Sequence, residues 1–349
     1  MGTGVIFTGP RTVDFESYED RPLEPHELRV RTLYSGISAG TEMTAYRGSN
    51  PYLAKQWDAE NRLFLDSEAP SQPYPLSGWG YEEVGEVIEV HPEVTTLKIG
   101  DIVYGTWGHR THHILQENYA NKRIKPDALD PLLAIYSHLG PIALNGILDA
   151  NIHVGETVAV FGLGVLGQVI AQLSKLNGAR VFGVDMIEKR LELAKEVGAI
   201  EEGFNPRDGS PAERIKALTH GRGADVTIEV SGSSQAVHEA VRATAYSARV
   251  VALGFFQGEA QGLLLGEEFH HNRISLVCSQ IGNVDPSLSY RWDRIRLIHT
   301  IMDLQAQGSL NLRPVITHVI PFKQAARAFQ LLDETPEEAL QIVLDFAQE

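Results

Sequence analysis

The period of apolar positions changes along this chain. From residue 1 to about residue 138, apolar residues come in short runs with a two-residue repeat. Val5-Ile6-Phe7, 12–15, 27–35, 85–90 and 101–104 read as short strands, and Gly9-Pro10, Pro22, Pro25 and Gly100 separate them. Between residues 26 and 35, Leu28, Val30 and Thr32 alternate with Arg29, Arg31 and Leu33, as in a half-buried strand. Residues 47–77 break the pattern with four prolines and the aromatics Tyr52, Trp57, Phe64 and Tyr74. That stretch reads as a long loop with one short helix over 51–65, and loops of that length are commonly functional or mobile.

Beyond Pro126 the repeat lengthens. Residues 131–148 read as a helix interrupted or kinked at Gly140-Pro141. Strands at 157–161, 180–184, 225–230, 248–253 and 274–279 then alternate with helices at 165–176, 188–197, 211–219 and 234–244. This rhythm predicts a parallel sheet with helices on both faces. A helix over 292–307, a strand over 314–320, a helix over 322–332 and a strand over 339–346 leave that rhythm. The C-terminal segment is therefore expected to return to the N-terminal domain.

The most informative stretch runs from Thr157 to Asp185. A buried strand leads into Gly162-Leu163-Gly164-Val165-Leu166-Gly167, spaced G-x-G-x-x-G, and then into a helix. Gly162 allows a sharp turn, Gly164 lets a pyrophosphate approach the backbone, and Gly167 lets helix and strand pack closely. The helix start offers free N–H groups and the positive end of its dipole to phosphate. Asp185 closes the next strand, at the spacing where a carboxylate meets the adenosine ribose. Together these elements predict dinucleotide binding. Asp185 would repel a 2′-phosphate, so NAD is expected over NADP, although Lys189 and Arg190 follow closely.

Composition narrows the remaining choices. The 349 residues exceed one ordinary core and suggest two domains. Thirty Lys and Arg against 45 Asp and Glu give a net charge of −15, which disfavours nucleic acid and anionic membranes as partners. No apolar run reaches membrane-spanning length, and the N-terminus does not read as a signal peptide. A cytoplasmic protein is the expectation. The single cysteine, Cys278, excludes a disulfide within the chain and any multi-cysteine zinc lobe.

The order of motifs resembles the medium-chain dehydrogenase/reductase superfamily over nearly the whole chain. The resemblance rests on Gly36-Ile37-Ser38-Ala39-Gly40-Thr41-Glu42, Gly80-Tyr81-Glu82-Glu83-Val84-Gly85, Lys98-Ile99-Gly100-Asp101-Ile102-Val103 and the glycine fingerprint. Arg190 to Ala199, Gly223 to Glu229 and Ile320 to Phe329 add to it. The first two motifs are similar to a subgroup named for bacteriochlorophyllide-type alcohol dehydrogenases. The implied fold is α/β: a Rossmann doubly wound parallel sheet inserted in a GroES-like, β-rich catalytic domain. The implied division is 1–138 catalytic, 139–282 dinucleotide-binding and 283–349 returning to the catalytic domain. A homodimer joined along the Rossmann sheet edge near 274–279 is implied as well.

The departures from the family concern zinc. Ser38 stands where zinc-dependent members carry a cysteine ligand, Tyr81 where they carry a histidine, and the third ligand position falls near His138. A serine hydroxyl is a poor zinc ligand. Glu82 and His138 remain as the two weak candidates, so a catalytic metal is not expected. Without it, the resemblance points to Tyr81 and Thr41 as hydrogen-bond donors to a substrate oxygen, with Ser38 in support and His138 or Glu82 relaying the proton. Each also has a structural reading as a packed or capping residue. The cluster His109, His112, His113 reads as structural, with His112 and His113 on opposite faces of a strand.

Ser231-Gly232, Leu253-Gly254 and Ile281 resemble turns beside the cofactor. The aromatic residues Trp57, Trp79, Trp107 and Tyr136 are further candidates to line the substrate cleft. The expected function is NAD-dependent interconversion of a secondary alcohol and a ketone, on a small-molecule substrate in the cleft between domains, without zinc. An NADPH-dependent quinone or enone reductase and an inactive dinucleotide-binding sensor are the alternatives.

Overall fold

The computed structural model describes residues 1–347. The chain divides into two compact units. Unit 1 joins residues 1–138 to the stretch from Ile316 to the C-terminus, and unit 2 is Leu139–Val315.

The strand Glu27–Ile37 organises unit 1. It pairs antiparallel with Glu83–Val90, with His112–Gln116 and with Gln341–Asp345. Ile102–Gly105 extends the sheet beyond Glu83–Val90, and Ile316–Pro321 extends it beyond Gln341–Asp345. A second, smaller sheet orders Thr12–Tyr18, Gly2–Gly9 and Leu76–Ser77. The expected alternation is visible in Glu27–Ile37, where Leu28 and Val30 are enclosed while Arg31 reaches Glu86 at the surface (2.6 Å). Arg29 is buried as well, and it is neutralised by Glu89 at 2.8 Å.

The C-terminal return closes the core under the helix Thr41–Arg47. Phe329, on the helix Ala325–Glu334, lies against Phe7 (ring centroids 5.1 Å), Tyr46 (5.6 Å) and His109 (5.9 Å). Asp333, on the same helix, accepts hydrogen bonds from Arg47 at 2.6 Å and Arg11 at 2.7 Å. Apolar burial and a charged clamp thus tie residues near both ends of the sequence to one short helix.

Unit 2 contains six parallel strands in the order Glu202–Phe204, Arg180–Val184, Thr157–Phe161, Ala224–Glu229, Thr244–Ala252, Ser275–Cys278. This is the doubly wound dinucleotide-binding order, and it reverses direction between Thr157–Phe161 and Ala224–Glu229. Helices Val165–Leu176 and Pro211–Leu218 supply buried apolar faces to the sheet, as their spacing predicts.

Several expectations need correction. Residues 51–65 do not form a helix. A 3-10 turn, Pro51–Leu53, leads into a hairpin of Lys55–Asp58 with Leu63–Asp66, and Asp58 caps the turn by accepting from the Glu60 and Asn61 backbone. Gly140-Pro141 does not interrupt a helix. Pro141 falls in the first turn of Leu139–Ala150, where it displaces no helical hydrogen bond, and the break lies earlier, after the 3-10 helix Pro131–Ser137. The return to unit 1 begins at Ile316, not at residue 283. The helix Arg294–Ala306 belongs to unit 2, where Ile301 packs so closely on Gly140 that a Cβ there would lie 2.4 Å from it. The short strand Glu202–Phe204 had no signal, being three residues long and polar at its start.

Phe329→Ala removes the ring that fills the core beneath Thr41–Arg47. It should destabilise unit 1 by about 3–5 kcal/mol. Denaturant unfolding followed by tryptophan fluorescence checks this, and a loss below about 1 kcal/mol would show that the ring does not fasten the return.

Candidate active site

In unit 1 the sheet brings residues from four separate stretches together. Ser38 follows the end of Glu27–Ile37, Thr41 and Glu42 open the helix Thr41–Arg47, and Tyr81 and Glu82 immediately precede Glu83–Val90. His138 follows Pro131–Ser137. The Tyr81 hydroxyl donates to Ser38 Oγ at 2.5 Å. The Tyr81 and His138 rings lie 4.4 Å apart, centroid to centroid. Tyr81, Ser38 and His138 therefore meet.

Beneath this group lies a buried chain of ionisable residues. The Ser38 backbone N–H donates to Glu42 Oε1 (2.9 Å), and Glu42 Oε2 meets His109 Nε2 at 2.6 Å. His109 Nδ1 meets Ser35 Oγ at 2.7 Å. Ser35 gives its proton to Glu83 Oε1 (3.0 Å), and the Trp107 backbone N–H donates to Glu83 Oε2 (2.6 Å). Ser35 has only one proton to give, so the remaining bond is an Nδ1–H donated by His109.

The electrostatics follow from this packing. Burial, then Glu42 and Glu82, hold the Tyr81 phenol well above its ordinary value against a small opposing pull from the Ser38 and Thr41 hydroxyls. Tyr81 therefore remains protonated. Burial pulls His109 down, but Glu42 and Glu83 together push it above its ordinary value. Glu83 is pushed up to about 7 by burial, against the pull of His109 and the Trp107 N–H. Glu82 is pushed well above the carboxylate range by burial, then by Glu42 and Glu83. Both Glu82 oxygens are buried without a hydrogen-bond partner, and the nearby Gln341 amide donates instead to Ile37 and Ile342 carbonyls. The space for the Glu82 carboxyl exists because residue 36 is glycine, since a Cβ there would lie 2.3 Å from Glu82 Oε2. Glu82 is thus not joined to the Tyr81–Ser38 hydrogen bond.

Ser38 and Tyr81 offer hydroxyls where zinc favours thiolate and imidazole. Ser38 Oγ already receives the Tyr81 hydroxyl, Tyr81 keeps its proton, and Glu82 is spaced into the sheet beside Gly36. Among the described residues, the single set of three metal-capable side chains with ligand atoms within 4.8 Å of one another is His238, Glu267 and Glu268 in unit 2. The other histidines bear out the separation of faces: His113 stacks on Trp107 (6.3 Å, 8°), and His112 meets the Thr111 hydroxyl. His109 is different. It sits at the centre of the buried chain, although its sequence context read as merely structural.

In unit 2 the fingerprint has the expected mechanics. A Cβ on Gly167 would lie 1.9 Å from the Gly162 carbonyl oxygen, so any larger residue would push the helix off the strand. Gly162 itself has φ +93°, and Gly164 faces open space at the start of Val165–Leu176, where Val165 and Leu166 begin the helix. Asp185 receives the Leu163 N–H (2.7 Å) and the Ile187 N–H (2.8 Å), and Arg190 Nη1 lies 3.8 Å from its Oδ2. Asp185, expected from its spacing to meet the ribose, is therefore bonded to the glycine turn.

Ser231 and Gly232 are held by Glu229, whose Oε1 accepts the Ser231 N–H (2.7 Å), the Ser231 hydroxyl and the Gly232 N–H (3.1 Å). Leu253 and Gly254 donate their N–H groups to the Glu229 carbonyl. Ile281 lines a cavity of about 250 Å³ with Trp292 and Leu297. Sequence reasoning missed Glu42, Glu83, His109 and Glu229. Glu42 and Glu83 sit inside the motifs quoted above, and Glu229 ends a strand two residues before a Ser-Gly turn, which was the available signal.

Comparison with known proteins bears on this arrangement. A family model described as zinc-binding dehydrogenase matches residues 165–298. D-guloside 3-dehydrogenase of Escherichia coli is 31% identical over 350 residues, covering 98% of this chain and 99% of that one. The chain belongs to the medium-chain dehydrogenase/reductase superfamily. A probable D-xylulose reductase A of Emericella nidulans is 26% identical, covering 90% of this chain and 89% of its own. The solved structure of 2R,3R-butanediol dehydrogenase from Bacillus subtilis shares the fold, with a TM-score of 0.78 at 19% identity over 99% of each chain. This superfamily member is an NAD(P)-dependent oxidoreductase of alcohols and ketones that acts on a small molecule.

The buried acids predict a pH dependence of stability. Glu83 has a folded value above its unfolded one, so its stabilising contribution is complete below about pH 4.5 and is lost as pH rises through about 7. Glu82 and His109, also raised, act in the same direction. Glu27 and Glu117, both lowered to about 2, act only at the acid end. The melting temperature of unit 1 should therefore fall on the alkaline side. Glu83→Gln should flatten the slope between about pH 5 and 7 by up to about 1.4 kcal/mol per unit, and an unchanged slope would place the proton elsewhere.

Proposed function

We propose that this enzyme uses NAD to interconvert a secondary alcohol and a ketone, without a catalytic metal, on a polyol or glycoside. The observation that carries the reading is the Tyr81 hydroxyl, kept protonated and seated on Ser38 where metal ligands would otherwise stand. A nicotinamide held by the glycine turn and Asp185 would supply a two-electron hydride acceptor for alcohol oxidation, leaving the hydroxyl proton to this chain's own residues. On substrate binding the Tyr81 hydroxyl exchanges Ser38 Oγ for the substrate oxygen, and Thr41 joins it there to stabilise charge as it develops. His138, in ring contact with Tyr81, is the group placed to take that proton and pass it to solvent. Glu82, turned toward Gly36, is a poorer relay than the sequence suggested.

The preference for NAD is supported by Asp185. Its two carboxylate oxygens are fixed by the Leu163 and Ile187 N–H groups, so the negative charge stays where a 2′-phosphate would be placed. Arg190, close to Asp185 Oδ2, tempers this. The choice of polyol or glycoside rests on the relatives that act on D-guloside and D-xylulose. A homodimer through the strand Ser275–Cys278 is part of the reading, and that strand is an edge of its sheet with Leu276 exposed. Sizing by light scattering tests it, and a monomer would remove it.

The central test uses methyl hexosides and 2,3-butanediol as secondary-alcohol probes with NAD and with NADP. Turnover should survive exhaustive chelation, and Tyr81→Phe should lower kcat by about 10²-fold while leaving NADH affinity within about twofold. Stoichiometric tightly held zinc, or Tyr81→Phe with full turnover, would overturn the mechanism.

A further inference from the structure

We propose that His109 is a positioning residue that holds both partners of the Tyr81–Ser38 hydrogen bond. The proposal rests on the reading of Tyr81 as the donor to substrate. His109 itself cannot meet substrate, because its side chain is fully enclosed. It acts through two separate connections.

The first is through its side chain. His109 Nε2 bonds Glu42 Oε2 at 2.6 Å, and the other oxygen of Glu42 receives the Ser38 backbone N–H at 2.9 Å. A carboxylate fixed at one oxygen presents the other in a fixed direction, so the histidine sets where Ser38 stands. The second is through its main chain. The His109 N–H donates to the Trp79 carbonyl at 2.9 Å, two residues before Tyr81. Gly80 lies so close that a Cβ on it would be 2.9 Å from the His109 nitrogen. One residue thus grips the Tyr81 segment by its backbone and the Ser38 segment by its ring.

Every neighbour around the ring is accounted for. Ser35 closes Nδ1 and links it to Glu83, Glu42 closes Nε2, and the Phe329 ring covers one side at 5.9 Å. The charged groups facing His109 are Glu42 from the helix Thr41–Arg47 and Glu83 from the adjoining strand, both acidic and both buried. With Nδ1 donating to Ser35, the ring holds Glu42 Oε2 through Nε2, while Ser38 N–H holds Oε1. Loss of the Nε2 bond frees the Glu42 side chain, and with it the Ser38 backbone. A shift of the donor oxygen by about 1 Å is enough to cost roughly 10²-fold in rate.

Two substitutions separate the two hydrogen bonds of the ring. His109→Gln keeps a donor at the Nε2 position toward Glu42. His109→Asn keeps one toward Ser35 and abandons Glu42. Both leave the main-chain bond to Trp79. The expected result for His109→Asn is a kcat lowered by roughly 10- to 100-fold with KM and NADH affinity within about twofold, while His109→Gln recovers most of the turnover. Hydrogen exchange gives a readout that needs no substrate. The Ser38 amide should lose protection in His109→Asn and retain it in His109→Gln, with the strands of unit 2 unchanged in both.

Equal losses in the two variants, or wild-type kcat and Ser38 protection in His109→Asn, would overturn the proposal. Tyr81→Phe is run alongside. Full turnover in Tyr81→Phe defeats the reading of the donor, whereas lost turnover there with an unaffected His109→Asn defeats only the role given to His109.

Discussion

Glu42, Glu82, Glu83 and His109 are sealed from solvent in one small region of unit 1, and the architecture of the catalytic half follows from keeping that region neutral enough to stay folded. Charges in such surroundings must be paired or lost to protonation. The three glutamates use three solutions. Glu42 is paired with His109. Glu83 is hydrogen-bonded by Ser35 and Trp107 and holds its proton to about pH 7. Glu82 has no donor at either oxygen and is held as a neutral acid. Each solution fixes a neighbour. The pairing fixes Ser38, the hydrogen bonds fix the Trp107 turn, and the unpaired acid requires glycine at position 36.

The same constraint bears on the proposed metal-free mechanism, in which a phenol stands in for a metal. A divalent cation beside these glutamates would hold them ionised. In the arrangement present, burial raises Glu82 and Glu83 instead, and burial, then the neighbouring glutamates, raise Tyr81 as well. A donor hydroxyl is useful only if it keeps its proton through the reaction, and its acidic setting secures that. Ser38 and Tyr81, standing where the resemblance implies cysteine and histidine, are therefore chemically consistent with Glu42, Glu82 and Glu83 around them.

The nucleotide half was far more legible in the sequence than the substrate half, for a physical reason. Gly162, Gly164, Gly167 and Asp185 act through local backbone geometry, so one continuous stretch states the turn, the close approach and the ribose acid. Even the error at residue 283 arose only because Arg294–Ala306 packs back on Gly140, a contact with no local signature. The catalytic half is assembled from stretches far apart in sequence, joined by strands whose register no short window reveals. His109 shows the consequence. Within GHRTHH it looks like one of three surface or core histidines, and only the crossing of Glu27–Ile37 with its neighbours puts it against Glu42 and Ser35. The hairpin after Pro51 was misread for a related reason: a proline-rich, aromatic stretch has no single periodicity, and Asp58 capping a turn decides the outcome.

Glu229 carries the argument to the nucleotide half. It too is a buried acid, raised by burial and opposed by bonds from Ser231 and Gly232. Its side chain gathers the Ser231 turn while its carbonyl receives Leu253 and Gly254, so two turns at adjacent strand ends are fastened to one residue. A Cβ on Gly254 would lie 2.3 Å from the Gly232 nitrogen and 2.6 Å from Glu229 Oε2, which leaves no slack between them. Asp185 does the same for the glycine turn through Leu163. In both units, then, the loops proposed to hold a ligand are fixed by a carboxylate that accepts their backbone N–H groups. Such an acceptor satisfies several donors at once and adds no bulk to the loop. That economy explains why the acids, more than the apolar residues, determine where the reactive groups stand.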